Sequence, residues 1–219
     1  MALSLIVFDC DGVLLESMDI KSMAFRRIGE EFGPEMADRL VMYHRMHGGV
    51  SRFKKFEWLF EELGRAATNE EMEALNAKFV EAAFEEMQRC PLVEGAREVL
   101  DHWKDRVPMF VASGAPEEEL RTILEKRGLS RYFAGMFGSP TVKSQILRAI
   151  VQHAGAYPSD VVMVGDSRTD QYAAEAMRTR FYGRGEEFRL SGHPWHEDLT
   201  QLNDYLEQCF SEPSAWAAR

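Results

Sequence analysis

The sequence predicts an α/β fold, a Rossmann-like parallel sheet carrying an inserted helical cap. Three observations predict it. Short, continuous apolar runs alternate with helical patterns, the order that builds a parallel doubly wound sheet. Each of the stronger runs ends in a polar cluster. The interval from about Glu16 to Pro91 breaks the alternation, holding amphipathic helical stretches and no convincing strand.

The first run, Leu3 to Phe8, is β-rich, continuous and closed by Asp9 and Gly12, as expected of a fully buried strand. Val107–Ala112, Asp160–Gly165 and Arg178–Gly183 read the same way, and Tyr132–Phe137 is a weaker strand. Helical patterns lie between them over Gly95–Trp103, Pro116–Arg127, Ser144–Ala154 and Thr169–Met177. In the interrupting interval, helices are expected over Met18–Phe32, Pro34–His47, Arg52–Leu63 and Asn69–Gln88, the last opened by a capping box, Thr68 to Glu71. The core is thus expected over residues 1–15 and 92–219, and the cap over 16–91, with hinges near Glu16 and Pro91. The tail Ser211–Arg219 reads as frayed or loosely docked.

Composition removes several function classes. At 219 residues, 45% hydrophobic and 28% charged, the chain is globular. A net charge of −10 argues against nucleic acid, whose binding draws on clustered Lys and Arg, but not against a small phosphorylated metabolite held by a few focused cations and a metal. Cys10, Cys90 and Cys209 form no disulfide framework and no C-x-x-C pattern. The first apolar run is cut by Asp9 and Asp11, and no stretch approaches the ~18 apolar residues of a membrane span. The expected setting is cytoplasmic, with no membrane partner and a monomeric or weakly homo-oligomeric state.

Doubly wound sheets bind ligands beyond the carboxyl ends of their strands, and four polar clusters fall there. Asp9 and Asp11 follow the first strand. Ser113-Gly114-Ala115 supplies a hydroxyl and backbone N–H groups before a helix, a ready anion site. Lys143 is a lone cation at a helix start, where the dipole disfavours it unless an anion is near. Asp166 and Asp170 occupy the turn after Val164-Gly165. Pooled at one point, the carboxylates repel one another unless a hard cation lies among them, and Mg²⁺ suits oxygen donors of this kind. A metal, a lysine and N–H donors around one point serve the stabilisation of a transferring phosphoryl group.

Asp9-x-Asp11-Gly12-Val13, then Ser113, Lys143 and Gly165-Asp166-Ser167-x-x-Asp170, stand in the order and setting of the four motifs of haloacid dehalogenase-like hydrolases. The chain resembles that superfamily over most of its core, and resembles the phosphoglycolate phosphatase and β-phosphoglucomutase branch in its cap. The resemblance implies Asp9 as nucleophile forming an aspartyl-phosphate and Asp11 as acid and base. It implies Mg²⁺ on the Asp9 and Asp166 carboxylates and the Asp11 carbonyl, with Ser113, Gly114 and Lys143 on the phosphoryl oxygens. Asp170 would orient Lys143 or a metal-bound water. Asp11 also argues against dehalogenation, since true dehalogenases lack that carboxylate. Two positions depart from the pattern: Ala176–Thr179 has no glycine at the helix end, and Ser144 stands where proline is common.

Other residues have plainer readings. Cys10 reads as a packing residue pointing away from its neighbouring aspartates. His44 and His47 lack a third ligand for a metal. The loop Tyr43–Arg52 resembles a substrate-specificity loop, which makes Arg52 a candidate leaving-group contact, with His47 and Lys55 less so; the alternative for Arg52 is a solvated helix start. Phe56, Trp58 and Phe60 read as cap core, and Gly192–His196 as a surface turn. The expected function is Mg²⁺-dependent hydrolysis of a small phosphate monoester, a sugar phosphate or phosphoglycolate. Alternatives are an intramolecular phosphosugar mutase and a non-catalytic phosphate-binding regulator.

Overall fold

The computed structural model describes residues 2–210, so the expectation for Ser211–Arg219 lies outside the described residues. Strands β1 (Leu5–Phe8), β2 (Met109–Pro116), β3 (Gly135–Ser139), β4 (Val161–Gly165), β5 (Arg180–Arg184) and β6 (Trp195–His196) form one sheet in the order β3-β2-β1-β4-β5-β6. Every pairing is parallel. The order reverses at β1, so the ends of β1, β2 and β4 frame one crevice.

The continuous apolar runs make central strands because both faces are covered. In β1, Leu5 and Val7 pack into one core cluster while Ile6 and Phe8 pack into the other, the period of two that a strand imposes. Helices α5 (Ala96–Trp103), α6 (Glu117–Lys126), α7 (Lys143–Ala154) and α8 (Arg168–Met177) connect the strands, and α9 (Leu202–Cys209) packs on α5. The five expected strands and four core helices are present. The two-residue edge strand β6 falls in what the sequence read as a surface turn, and α9 had no counterpart in the expectation.

The glycine missing after α8 has a structural answer. Arg178 takes the left-handed conformation at the helix C-cap, with φ of 57°, the role glycine usually fills. A β-carbon there costs roughly 1–2 kcal/mol.

Between β1 and α5 lie α1 (Met18–Glu30), α2 (Pro34–Met46), α3 (Arg52–Glu62) and α4 (Asn69–Arg89). The Thr68–Glu71 capping box forms as expected. Phe25, Phe56 and Phe79 from three of these helices meet edge to face, each fully buried, with ring centroids 4.9 to 6.5 Å apart. Burial of each such ring contributes about 1.5–3 kcal/mol. The two chain crossings into this insertion run side by side. Val93 N donates to Leu14 O at 3.1 Å and Glu16 N to Pro91 O at 3.0 Å. Among the described residues, no helix is long and apolar enough to cross a membrane.

Candidate active site

The end of β1 delivers Asp9 into the crevice, almost fully buried. Its Oδ2 accepts from Lys143 Nζ at 2.5 Å and its Oδ1 from Cys10 N at 2.6 Å. Lys143, the first residue of α7, also donates to Asp170 at 2.6 Å. Asp170 is buried and accepts from Ser167 N at 3.2 Å and Ser167 Oγ at 2.5 Å. It therefore holds Lys143 while closing the capping box of α8. Asp166, at the end of β4, completes a group in which oxygens of Asp9, Asp166 and Asp170 all lie within 4.8 Å of one another.

The electrostatics of this group call for a cation. Burial pushes Asp9 up from 3.8 to about 7, and Asp170 and Asp11 add to the rise while Lys143 works against it. Asp166 is driven well above the carboxylate range by burial and then by Asp9 and Asp170. Burial opposes the charge of Lys143, but Asp170 and Asp9 outweigh that and raise it. Three carboxylates against one ammonium, all hard oxygen donors, fit a divalent ion such as Mg²⁺. Gly12 belongs to the same design. It has φ of 73°, and a β-carbon there would strike the Asp166 carboxylate.

Asp9 also sets a pH dependence of stability. An unfolded carboxyl loses its proton near pH 4, whereas the folded one keeps it to about 7. Its contribution to stability is complete at low pH and is lost as pH rises through about 7. Without divalent cations, the wild type is expected to melt higher near pH 5.5 than near pH 8. That difference should shrink in Asp9→Asn; an equal slope in the two proteins would refute the assignment.

Asp11 makes contacts that no motif indicated. It accepts from Ser17 Oγ at 2.6 Å and pairs with Lys21, in the first turn of α1. Burial pushes Asp11 up, but Lys21 and Ser17 more than compensate and hold it below the usual value. Lys21 could have been flagged as Lys143 was, as a cation in the first turn of a helix.

The other predicted residues are placed unequally. Ser113 is fully buried within β2, and its Oγ accepts from Ala115 N at 3.1 Å. The helix expected over Pro116–Arg127 runs from Glu117 to Lys126, with Pro116 as its N-cap and Glu117, Glu118 and Glu119 in its first turn, where they answer the helix dipole. Ser113 and Lys143 also line a groove of about 1170 Å³ on the far side of the loop 49–51.

A cavity of about 40 Å³ lies between cap and core, lined by Asp9, Asp11, Lys21, His44, Arg52, Lys55, Gly114 and Asp166 among others. Arg52 is not a solvated helix start. It is buried, ion-paired to Glu119 of α6 at 2.5 Å and set over the Phe79 ring, and its Nη1 has no partner. Lys55 also reaches this cavity. His47 instead hydrogen-bonds the Tyr43 carbonyl at 2.9 Å and stacks on that ring. Cys10 is buried as expected, and burial drives its thiol well above the usual range.

The cap loop meets the core directly. Thr169 Oγ1 donates to Gly48 O at 2.9 Å, and a β-carbon on Gly114 would strike the Gly49 carbonyl. The cap is therefore closed on the site.

A parallel sheet that gathers an acidic cluster at its strand ends, beneath a closed helical cap, is the architecture of a capped hydrolase. The family model for haloacid dehalogenase-like hydrolase matches residues 3–178, and the chain belongs to that family. It is an enzyme of the phosphatase class within it. It is 29% identical over 185 residues to phosphoglycolate phosphatase 1 of Pseudomonas aeruginosa, covering 80% of this chain and 67% of that one. It is 27% identical over 190 residues to a phosphorylated carbohydrates phosphatase of Thermotoga maritima, covering 81% and 83%. Among solved structures, β-phosphoglucomutase of Clostridium difficile superposes with a TM-score of 0.80 over 96% of this chain and 98% of that chain, at 16% identity, a likeness of fold.

Proposed function

We propose that this enzyme hydrolyses a small phosphate monoester through an aspartyl-phosphate on Asp9, with Mg²⁺ as cofactor. The observation that carries this reading is the buried Lys143, bonded at once to Asp9 and Asp170 beside the Asp166 carboxylate. Lys143 spreads its charge over the nucleophile and has one hydrogen left for a phosphoryl oxygen. Ser113 Oγ and the Gly114 backbone would hold the remaining oxygens. Asp9 Oδ attacks phosphorus while Asp11, a carboxylate at rest that must first take up a proton against the pull of Lys21 and Ser17, passes that proton to the leaving oxygen. Asp11 then stands as a carboxylate between Ser17 and Lys21, the form that removes a proton from the water attacking the aspartyl-phosphate. Mg²⁺ would be held by the carboxylates of Asp9 and Asp166 and the backbone carbonyl of Asp11, and when bound it offsets the negative charge that gathers on the phosphoryl group.

Arg52, with its free Nη1, is assigned to the leaving group. The domain limits that go with this mechanism are a core over residues 1–15 and 92–219, of which 2–210 are described, and a cap over 16–91; the cap excludes bulk water when closed. The named activities of the relatives, on phosphoglycolate and on phosphorylated carbohydrates, set the panel for the test. Phosphate release is expected from at least one short-chain ester with Mg²⁺, and no release is expected in excess chelator. Undiminished release in chelator would rule out the metal assignment.

A further inference from the structure

The cap and the cavity bring four buried or nearly buried cations to the site, and three of them have carboxylate partners. Lys21 pairs with Asp11, Arg52 with Glu119, and Lys143 with Asp9 and Asp170. The fourth is Lys55, on the same face of α3 as Arg52, three residues on. It is 3% exposed and lines the cavity shared by Asp9, Asp11 and Asp166. Among the described residues it has no carboxylate within ion-pairing distance. Its Nζ lies 2.9 Å from His44 Nδ1, which accepts from the ammonium when the imidazole proton is on Nε2, and 5.5 Å from the centre of the Phe25 ring.

A buried ammonium with only a neutral acceptor and an aromatic face is under-compensated. Burial, reinforced by Lys21, pushes Lys55 down to about 7, so its charge is only partly present near neutral pH. An anion entering the cavity would restore it. The unpartnered Nη1 of Arg52 offers a second donor from the same helix face.

We propose that Lys55 is a specificity residue that selects phosphate monoesters whose leaving group carries a second negative charge, such as a carboxylate on a short chain. This rests on the phosphatase reading of the Asp9 site. A neutral leaving group leaves Lys55 as it stands, bonded only to His44. A cationic one meets Lys55, Lys21 and Arg52 together and is repelled. The assignment differs from that of Arg52, whose charge Glu119 already answers.

The test uses three esters of similar size and different charge: 2-phosphoglycolate, ethyl phosphate and O-phosphoethanolamine. Calorimetric Kd values are measured on full-length Asp9→Asn protein with Mg²⁺, so that no turnover intervenes. The carboxylate is expected to bind at least about tenfold more tightly than ethyl phosphate, with the amine weakest. Adding Lys55→Met, or Lys55→Gln should the first prove unstable, is expected to bring the ratio of the first two close to one. A ratio that persists in both variants, or no preference in the parent, overturns the role of Lys55 while leaving the phosphatase reading in place. If none of the three esters binds, the reading of this cavity as the site of a small phosphate monoester falls, and this inference falls with it.

Discussion

Asp9→Asn is expected to lose at least about a thousandfold in kcat/KM while folding as well as the wild type or better. The loss is chemical in origin. An amide at this position cannot attack phosphorus, and the remaining groups can only bind the ester. The stability has its origin in charge. Asp9 is one of three carboxylates gathered around Lys143, and its burial and its acidic neighbours already resist ionisation. Asn keeps an oxygen for the Lys143 hydrogen bond and removes one of the repelling charges. Metal-free thermal melts near pH 8 should show Asp9→Asn at or above the wild type, with mass spectrometry confirming that the amide is intact. Activity within tenfold of the wild type would exclude Asp9 as the nucleophile.

Lys143→Met should damage fold and activity together. The side chain is 4% exposed and bonds to Asp9 at 2.5 Å and Asp170 at 2.6 Å. Removing one partner of a buried ionic group leaves uncompensated charge, a loss of about 3–5 kcal/mol. Here it leaves three carboxylates close together with no protein cation bonded to them. Their proton affinities would rise further, so the variant should recover stability as pH falls towards 5, and in part when Mg²⁺ is added. Denaturant unfolding at several pH values, with and without Mg²⁺, reads both effects. Wild-type stability at pH 8 without metal would show that Lys143 is not the counter-charge of this cluster.

Asp9 was legible before any coordinates because buried strands announce themselves as unbroken apolar runs, and charged groups placed directly at the end of such a run must have a use. Asp9 and Asp166 belong to that pattern; Lys143 is legible instead as a cation at a helix start, where the dipole disfavours it, and Asp170 as the second carboxylate of the turn after Gly165. Lys21, Glu119 and Thr169 did not declare themselves. Each acts across the junction between cap and core, touching a residue 10, 67 or 121 positions away. Local periodicity carries no trace of such contacts. Strand β6 was missed for a related reason: two residues pairing with Gly183 and Arg184 are too short for any alternation to show. In β2, Ser113 and Gly114 lack β character, so the strand seemed to stop at Ala112. The pairing in fact resumes at Pro116 with Ser139 after a shift in register.

The paired crossing at Leu14–Glu16 and Pro91–Val93 also bears on how such a protein can change. The excursion through four helices leaves the sheet and returns to it at neighbouring points, so for the sheet it counts as little more than a hairpin loop. The entropic cost of lengthening a loop grows only slowly with its length. The segment between those crossings can therefore be shortened, extended or exchanged without altering one strand pairing or moving the carboxylates at the strand ends. Ser17 and Lys21, which hold Asp11, lie inside that segment, so a graft at these two points that is to keep the chemistry has to carry both of them over.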